Sequence, residues 1–328
     1  MATQAIMVDR FGDPESYTIR LFDPGSPGPG AIRIAVRCAG ISFVDVLTAQ
    51  GGYQVKPPLP FVPGSEFAGI VEAVGDGVDP ALLGKRVMAS AMGGALAQAA
   101  IVPAHRASVI PDAMDFATAA IFRVSYVTAY HALVHRGAIK AGETVLVLGA
   151  GGAVGYAAVE IAVALGAQVI GSASSADKRA LAQRGGAVTT VDSRSATWRE
   201  DVKAANEGKP VDIVIDPLGG DATEPAFRSL AWNGRHLVIG FTTGHIPKIA
   251  TNLALLKGAS LIGVDVRQFG EYEPERAAGI LPALFALHQQ GALHPPVARR
   301  YPMEAFVGAM TEARAGTTAG RIVIDIAS

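Results

Sequence analysis

The chain has 328 residues, half of them apolar, with a net charge of −1 and a single cysteine, Cys38. That length suits two domains. No uncharged apolar run is long enough to cross a bilayer, and no basic run is present to hold nucleic acid. The opening MATQAIMVDRFG lacks the apolar stretch of a secretory signal. One cysteine rules out an internal disulfide and a multi-cysteine metal knot, and it suits a reducing, cytoplasmic setting.

The first 120 residues read as short strands: AIMV (5–8), AIRIAVRC (31–38), FAGIVEAV (67–74) and ALAQAAIV (95–102). Segments rich in Pro and Gly part them, such as DPGSPGPG (23–30) and KPPLPFVPG (56–64). This spacing predicts a mostly β, barrel-like unit. Beyond it, nearly all-apolar runs begin near residues 144 (TVLVL), 168 (QVIGS), 188 (VTTVD), 211 (VDIVID), 235 (RHLVIG) and 259 (ASLIGVDV), mostly with helix-length segments between them. Apolar strands alternating with helices predict an α/β, doubly wound parallel sheet of six strands. Two helical segments, 274–290 and 303–314, precede a last strand, RIVIDIA (321–327). That strand is expected to rejoin the first unit. The expected division is thus 1–121 with 267–328, around 122–266.

At the start of the six-strand series stands GAGGAVGYAAVEIAVALG (149–166). Gly149 suits a tight turn. Gly151 and Gly152 let a ligand approach the backbone, and Gly155 lets the helix pack on the strand. The helix opens at Ala153 and Val154, and its free N–H groups and partial positive charge suit a pyrophosphate. Glycines between a strand and a helix are the context a dinucleotide site requires. The second strand closes as GSASSADKR (171–179). Where NAD sites carry an acid for the ribose hydroxyl, this segment offers Ser172, Ser174 and Ser175, then Lys178 and Arg179. Hydroxyls and cations attract a 2′-phosphate, so the expected cofactor is NADPH. Asp177 counts against this, and Lys178 and Arg179 also read as a solvated helix face.

YQVKPPLPFVPGSEFAGIVEAVGDGV (53–78), VTAYHAL (127–133), the glycine turn and AGRIVIDI (319–326) follow one another in an order that resembles the zinc-free quinone oxidoreductases. These belong to the medium-chain dehydrogenase/reductase superfamily and include zeta-crystallin. The likeness spans essentially the whole chain. It implies a GroES-like β-barrel domain and a Rossmann domain, with the nicotinamide of NADPH in a cleft between them. It also implies homodimers or homotetramers paired through the strand at 259–266. Zinc-dependent relatives place ligands at positions matching Ser42, Ser65–Glu66 and Val124. Serine and valine do not hold Zn²⁺, so no metal is expected.

By the same resemblance Tyr53 reaches the nicotinamide end of the cofactor, and Thr128 and Tyr130 stand beside it, although Tyr130 reads more readily as core. Gly240, Phe241 and Arg321 are further expected cofactor contacts. Ser42 replaces a family asparagine. Asp45 either orients its neighbours or caps the helix beginning near residue 43. Ser193 stands where an aromatic or histidine often meets the 2′-phosphate. Gln98 and Ala99 replace an aromatic-bearing segment, which implies a roomier pocket. Arg123 stands where relatives carry a small or apolar residue. It would anchor an anionic substrate or stabilise an enolate, or else pair within the fold or face solvent.

The catalytic candidates are therefore Tyr53, Ser42, Asp45 and Arg123. The expected reaction is zinc-independent delivery of hydride from NADPH to a small electrophile, a quinone or an α,β-unsaturated carbonyl. The alternatives are a reductase of small acrylates or enoyl thioesters, and a largely non-catalytic, crystallin-like NADPH-binding protein. Neither nucleic acid nor membrane is an expected partner.

Overall fold

In the computed structural model, which describes residues 2–326, the first apolar run forms β1 (Thr3–Met7), antiparallel to β2 (Thr18–Phe22). The long strand β3 (Ala31–Ile41) follows, then the short helix α1 (Phe43–Ala49). β4 (Glu66–Val74), β5 (Arg86–Ser90), β6 (Ala99–Pro103) and β7 (Ala107–Val109) complete the N-terminal part. Helix α2 (Phe116–Tyr130) follows and continues as a wider π turn over His131–Arg136.

The six expected strands come next. They are β8 (Thr144–Leu148), β9 (Gln168–Ala173), β10 (Thr189–Asp192), β11 (Val211–Asp216), β12 (Leu230–Val238) and β13 (Ser260–Gly263). Between them lie α3 (Ala153–Ala164), α4 (Ala176–Arg184), α5 (Trp198–Ala205), α6 (Thr223–Arg228) and α7 (Thr251–Lys257). The strands pair in parallel in the order β10-β9-β8-β11-β12-β13, which is the doubly wound Rossmann order. Val145, Leu146, Val147, Ile213, Val214 and Ile215 are fully buried on the two central strands, as a sheet covered on both faces demands.

After β13 come α8 (Val266–Tyr272), α9 (Pro274–Ala278) and α10 (Ile280–Gln289), then β14 (Val297–Pro302), α11 (Phe306–Ala315) and β15 (Arg321–Asp325). The last strand does rejoin the first unit. It pairs antiparallel with β3, giving a seven-stranded sheet ordered β14-β15-β3-β4-β5-β7, with β6 also on β3. Ile32, Ile34 and Val36 of β3 turn alternate side chains into one apolar core with Phe67, Leu96, Phe306 and Ile324.

The chain divides into two compact units, residues up to Val124 with those from Pro295 onward, and 125–294. The return to the first unit therefore comes at 295, not at 267. Helices α8–α10 stay with the parallel sheet because their contacts are there. The Phe269 ring stacks on His131 at 4.0 Å, and the His294 N–H donates to Glu160 at 2.9 Å. The segment expected as one helix over 274–290 is two, parted at Gly279.

Candidate functional site

The glycine turn ends β8 in the conformation its residues allow. Gly149 has φ +63°, which favours glycine. A Cβ on Gly155 would lie 2.1 Å from the Gly149 carbonyl oxygen, and one on Gly151 would lie 2.5 Å from Cβ of Lys178. Both positions thus admit only glycine with the backbone as it stands. Gly152 caps α3 with no side chain, and Ala153 and Val154 form its half-buried first turn. The first N–H groups of a helix have no carbonyl partner within it. Here they open beside the exposed backbone of Gly152, which carries no side chain, and a pyrophosphate fits that cradle.

The end of β9 carries no acid. Ser174 is exposed directly after the strand, while Ser175 caps α4 by accepting the Lys178 N–H at 3.3 Å. Ser172 is not available to a ligand: it is buried and accepts Nε1–H of Trp198 at 2.9 Å. Burial lowers the pKa of Lys178. An acid that the sequence reading missed lies on the neighbouring strand, since Asp192 pairs in register with Ala173. Arg179 holds it at 3.0 Å and Arg194 at 3.4 Å, and with the N–H of Arg194 they keep its carboxyl below the usual range. Ser193, the next residue, is exposed. This corner of the sheet thus holds Lys178, Arg179 and Arg194 against Asp192 and Asp177, a surplus of cations.

Across the sheet, Asp216 ends β11. It accepts the N–H groups of Leu218 and Gly219, the Thr223 hydroxyl at 2.7 Å and faces Nε2 of His236 at 3.0 Å. Burial favours the acid form, but these donors outweigh it and lower its pKa. The turn so fixed rests the Leu218 side chain against Gly149. Beyond β12, Gly240 and the exposed Phe241 begin a loop. Phe241 lines a cavity of about 480 Å³ at the carboxyl ends of β12 and β13, with His131, Arg136, Gly263, Phe269 and Tyr272 among the walls. Thr128 lies buried on α2, one helical turn before His131.

In the first unit Ser42 and Asp45 form a reciprocal cap on α1. The Asp45 carboxylate accepts Ser42 N–H at 2.8 Å and Oγ–H at 2.6 Å, and Ser42 Oγ accepts Asp45 N–H at 3.2 Å. Of the two roles open to Asp45 from sequence, the geometry is that of the cap. Tyr53 is half-buried and shares a cavity of about 90 Å³ with Asp45, Thr48, Ser65 and Met92.

Glu66 is buried on β4. Its carboxylate accepts the Val124 N–H at 2.8 Å and faces the guanidinium of Arg321 at 3.7 Å. Burial, the largest influence, pushes its pKa up to about 7 against the pull of Arg321 and the Val124 N–H. Arg321, expected at the cofactor, is therefore placed beside Glu66 and is itself buried. Arg123 is half-buried and donates to Ser108 Oγ at 2.8 Å, and burial lowers its pKa.

The positions matching zinc ligands do not fit a zinc ion. Ser42 is spent on its cap, Glu66 on Val124 and Arg321, and Val124 has no side-chain donor atom. Among the described residues no group of three or more His, Cys, Asp or Glu is arranged to hold a metal. Cys38 is buried on β3, its thiol donating to Asp325 at 3.2 Å. Likewise, among the described residues no helix is long and apolar enough to cross a membrane.

The chain matches known proteins over most of its length. A family model described as "Alcohol dehydrogenase GroES-like domain" matches residues 28–112, and one described as "Zinc-binding dehydrogenase" matches 153–279. Mouse "Quinone oxidoreductase-like protein 2" is 34% identical over 95% of this chain and 89% of its own length. Human "Quinone oxidoreductase" is 33% identical over 92% and 91%. A mycobacterial protein solved in complex with NADPH superposes with a TM-score of 0.88 at 29% identity, covering 98% of this chain and 99% of that one.

Proposed function

Since this chain belongs to the quinone oxidoreductase family of the medium-chain dehydrogenases/reductases, and so is an NAD(P)H-dependent oxidoreductase, we propose that it uses NADPH to reduce a quinone or an activated alkene, without zinc, and that copies pair through β13. The observation that carries this reading is the corner formed by the glycine turn and the end of β9. There a backbone cradle meets Ser174 and Lys178, and the acid on the neighbouring strand, Asp192, is held by Arg179.

In this reading the first turn of α3 holds the pyrophosphate. Ser174, Lys178 and Ser193 take the 2′-phosphate, and the cavity at β12 and β13, with Thr128, Gly240 and Phe241, takes the nicotinamide end. Bound NADPH supplies the hydride. The chain supplies orientation, and a positive charge for the oxygen that gathers electrons. Arg123, held by Ser108, carries that charge. Tyr53 contacts the acceptor. Ser42 and Asp45 act at one remove, by fixing α1. An acceptor that is already electron-poor has no need of a Lewis acid, which agrees with the poor zinc donors at Ser42 and Val124.

The test follows NADPH oxidation with a quinone, a small acrylate and an enoyl thioester, with NADH run in parallel and chelator-treated protein alongside. The expected result is turnover of the quinone or acrylate, indifferent to chelation, with kcat/KM for NADPH at least about tenfold above NADH, roughly 1.4 kcal/mol. Equal use of the two nucleotides, or activity lost to the chelator and restored by zinc, would overturn the reading. Turnover of the enoyl thioester alone would reassign the acceptor.

A further inference from the structure

The cavity at the carboxyl ends of β12 and β13 contains a polar side chain to which the reading above gives no part in the reaction. His131 lies on the π turn that ends α2, 3% exposed, and lines this cavity. Its ring is fixed twice. It stacks on Phe269 with centroids 4.0 Å apart, and its Nδ1 meets Nδ1 of His135 at 3.4 Å. That leaves Nε2 as the ring's polar atom for a ligand in the cavity that His131 lines.

The charged and titratable neighbours are His135 and Arg136 on the same turn, and Glu273 and Arg276 from the facing helices. Burial is the largest influence, and with His135 and Arg136 it brings the pKa of His131 down to about 4 against the pull of Glu273. The imidazole is therefore neutral near pH 7 and carries one N–H. If Nδ1 accepts from His135, Nε2–H donates into the cavity. If Nδ1 donates, Nε2 accepts. A primary carboxamide carries both a carbonyl oxygen and an NH₂ group, so it pairs with Nε2 in either tautomer.

We infer that Nε2 of His131 hydrogen-bonds the carboxamide of the bound nicotinamide, making His131 a cofactor-binding residue. The inference rests on the NADPH reading above. The cavity's position supports it, since doubly wound sheets take ligands outside the carboxyl ends of their strands, and Gly263, Val264 and Asp265 form its floor. Arg136 braces that floor by donating to the Gly263 carbonyl at 2.9 Å.

The test uses two amide variants that divide the imidazole between them. In His131→Gln the amide reaches the Nε2 position, and in His131→Asn it reaches only the Nδ1 position. Dissociation constants are measured by titration for NADPH and for 2′-phospho-ADP-ribose, which has the adenine half and the pyrophosphate but no nicotinamide. The Gln variant is expected to bind NADPH nearly as the parent does. The Asn variant should bind it about tenfold more weakly, the scale of one lost buried hydrogen bond. Neither should change its affinity for 2′-phospho-ADP-ribose. If the two variants bind NADPH alike, or if 2′-phospho-ADP-ribose weakens in step with NADPH, His131 does not read the carboxamide. Should the parent protein bind neither probe, the NADPH reading itself fails.

Discussion

The carboxylate of Glu66 is out of reach of water, and the groups around it only partly replace what water would give. Its pKa of about 7 lies above the ordinary value of 4.5. Between those two values the folded chain keeps a proton that the unfolded chain has released. Glu66 therefore contributes stability that is fully present below about pH 4.5 and lost as the pH rises through 7. Glu66→Gln keeps an oxygen for the Val124 N–H and cannot ionise. We expect the melting temperature of the parent to fall relative to this variant as the pH rises from about 5 to 7.5. Parallel curves would mean that Arg321 already compensates the charge fully. The sequence marked this acid as a position matching a zinc ligand, and that much was legible. That it faces Arg321 was not, because only the pairing of β15 with β3 and of β3 with β4 places the two residues together.

At the scale of the element, the turn from β8 into α3 works by close approach. A Cβ on Gly155 meets the Gly149 oxygen at 2.1 Å, whereas one on Gly152 meets it at 3.2 Å. The first contact must be relieved by moving the helix off the turn, the second by a few tenths of an ångström. Overpacking of the first kind costs about 1–3 kcal/mol. Gly155→Ala should thus weaken NADPH binding about tenfold or more and Gly152→Ala much less, as titration of both variants would reveal. Equal losses would show that the cradle is read by its open surface and not by its helix packing. The six strands behind this turn were legible as apolar, β-branched runs between helix-length segments, and the central ones, β8 and β11, are buried on both faces. β2, β5 and β7 were not. TIRLF lies on a largely exposed face, and RVMAS and ASV are too short to carry a period.

For the whole molecule, the sequence placed helices over 274–290 and 303–314, but neither α8 nor the unit on which α8–α10 pack. Their apolar faces fit either unit, and the choice rests on contacts such as Phe269 with His131 that no local pattern encodes. The same region bears on assembly. β13 is the last strand of its sheet, and its outer backbone groups have no partner strand among the described residues. Leu261 on it, Leu255 and Leu256 on α7, and Trp232 on β12 are all more than half exposed. The Trp232 ring lies against Gly258, just before the strand. A bare sheet edge flanked by large apolar side chains is a place where chains associate unless something covers it. A second copy, related by a two-fold axis, would continue the sheet and cover the leucines at once. Light scattering is expected to give about twice the 33.8 kDa of one chain. Leu261→Arg sets a charge on the edge at a position already open to water, so it should leave the fold intact and shift the mass toward one chain. A parent protein that runs as a single chain would contradict pairing through β13. A dimer indifferent to Leu261→Arg would move the interface elsewhere.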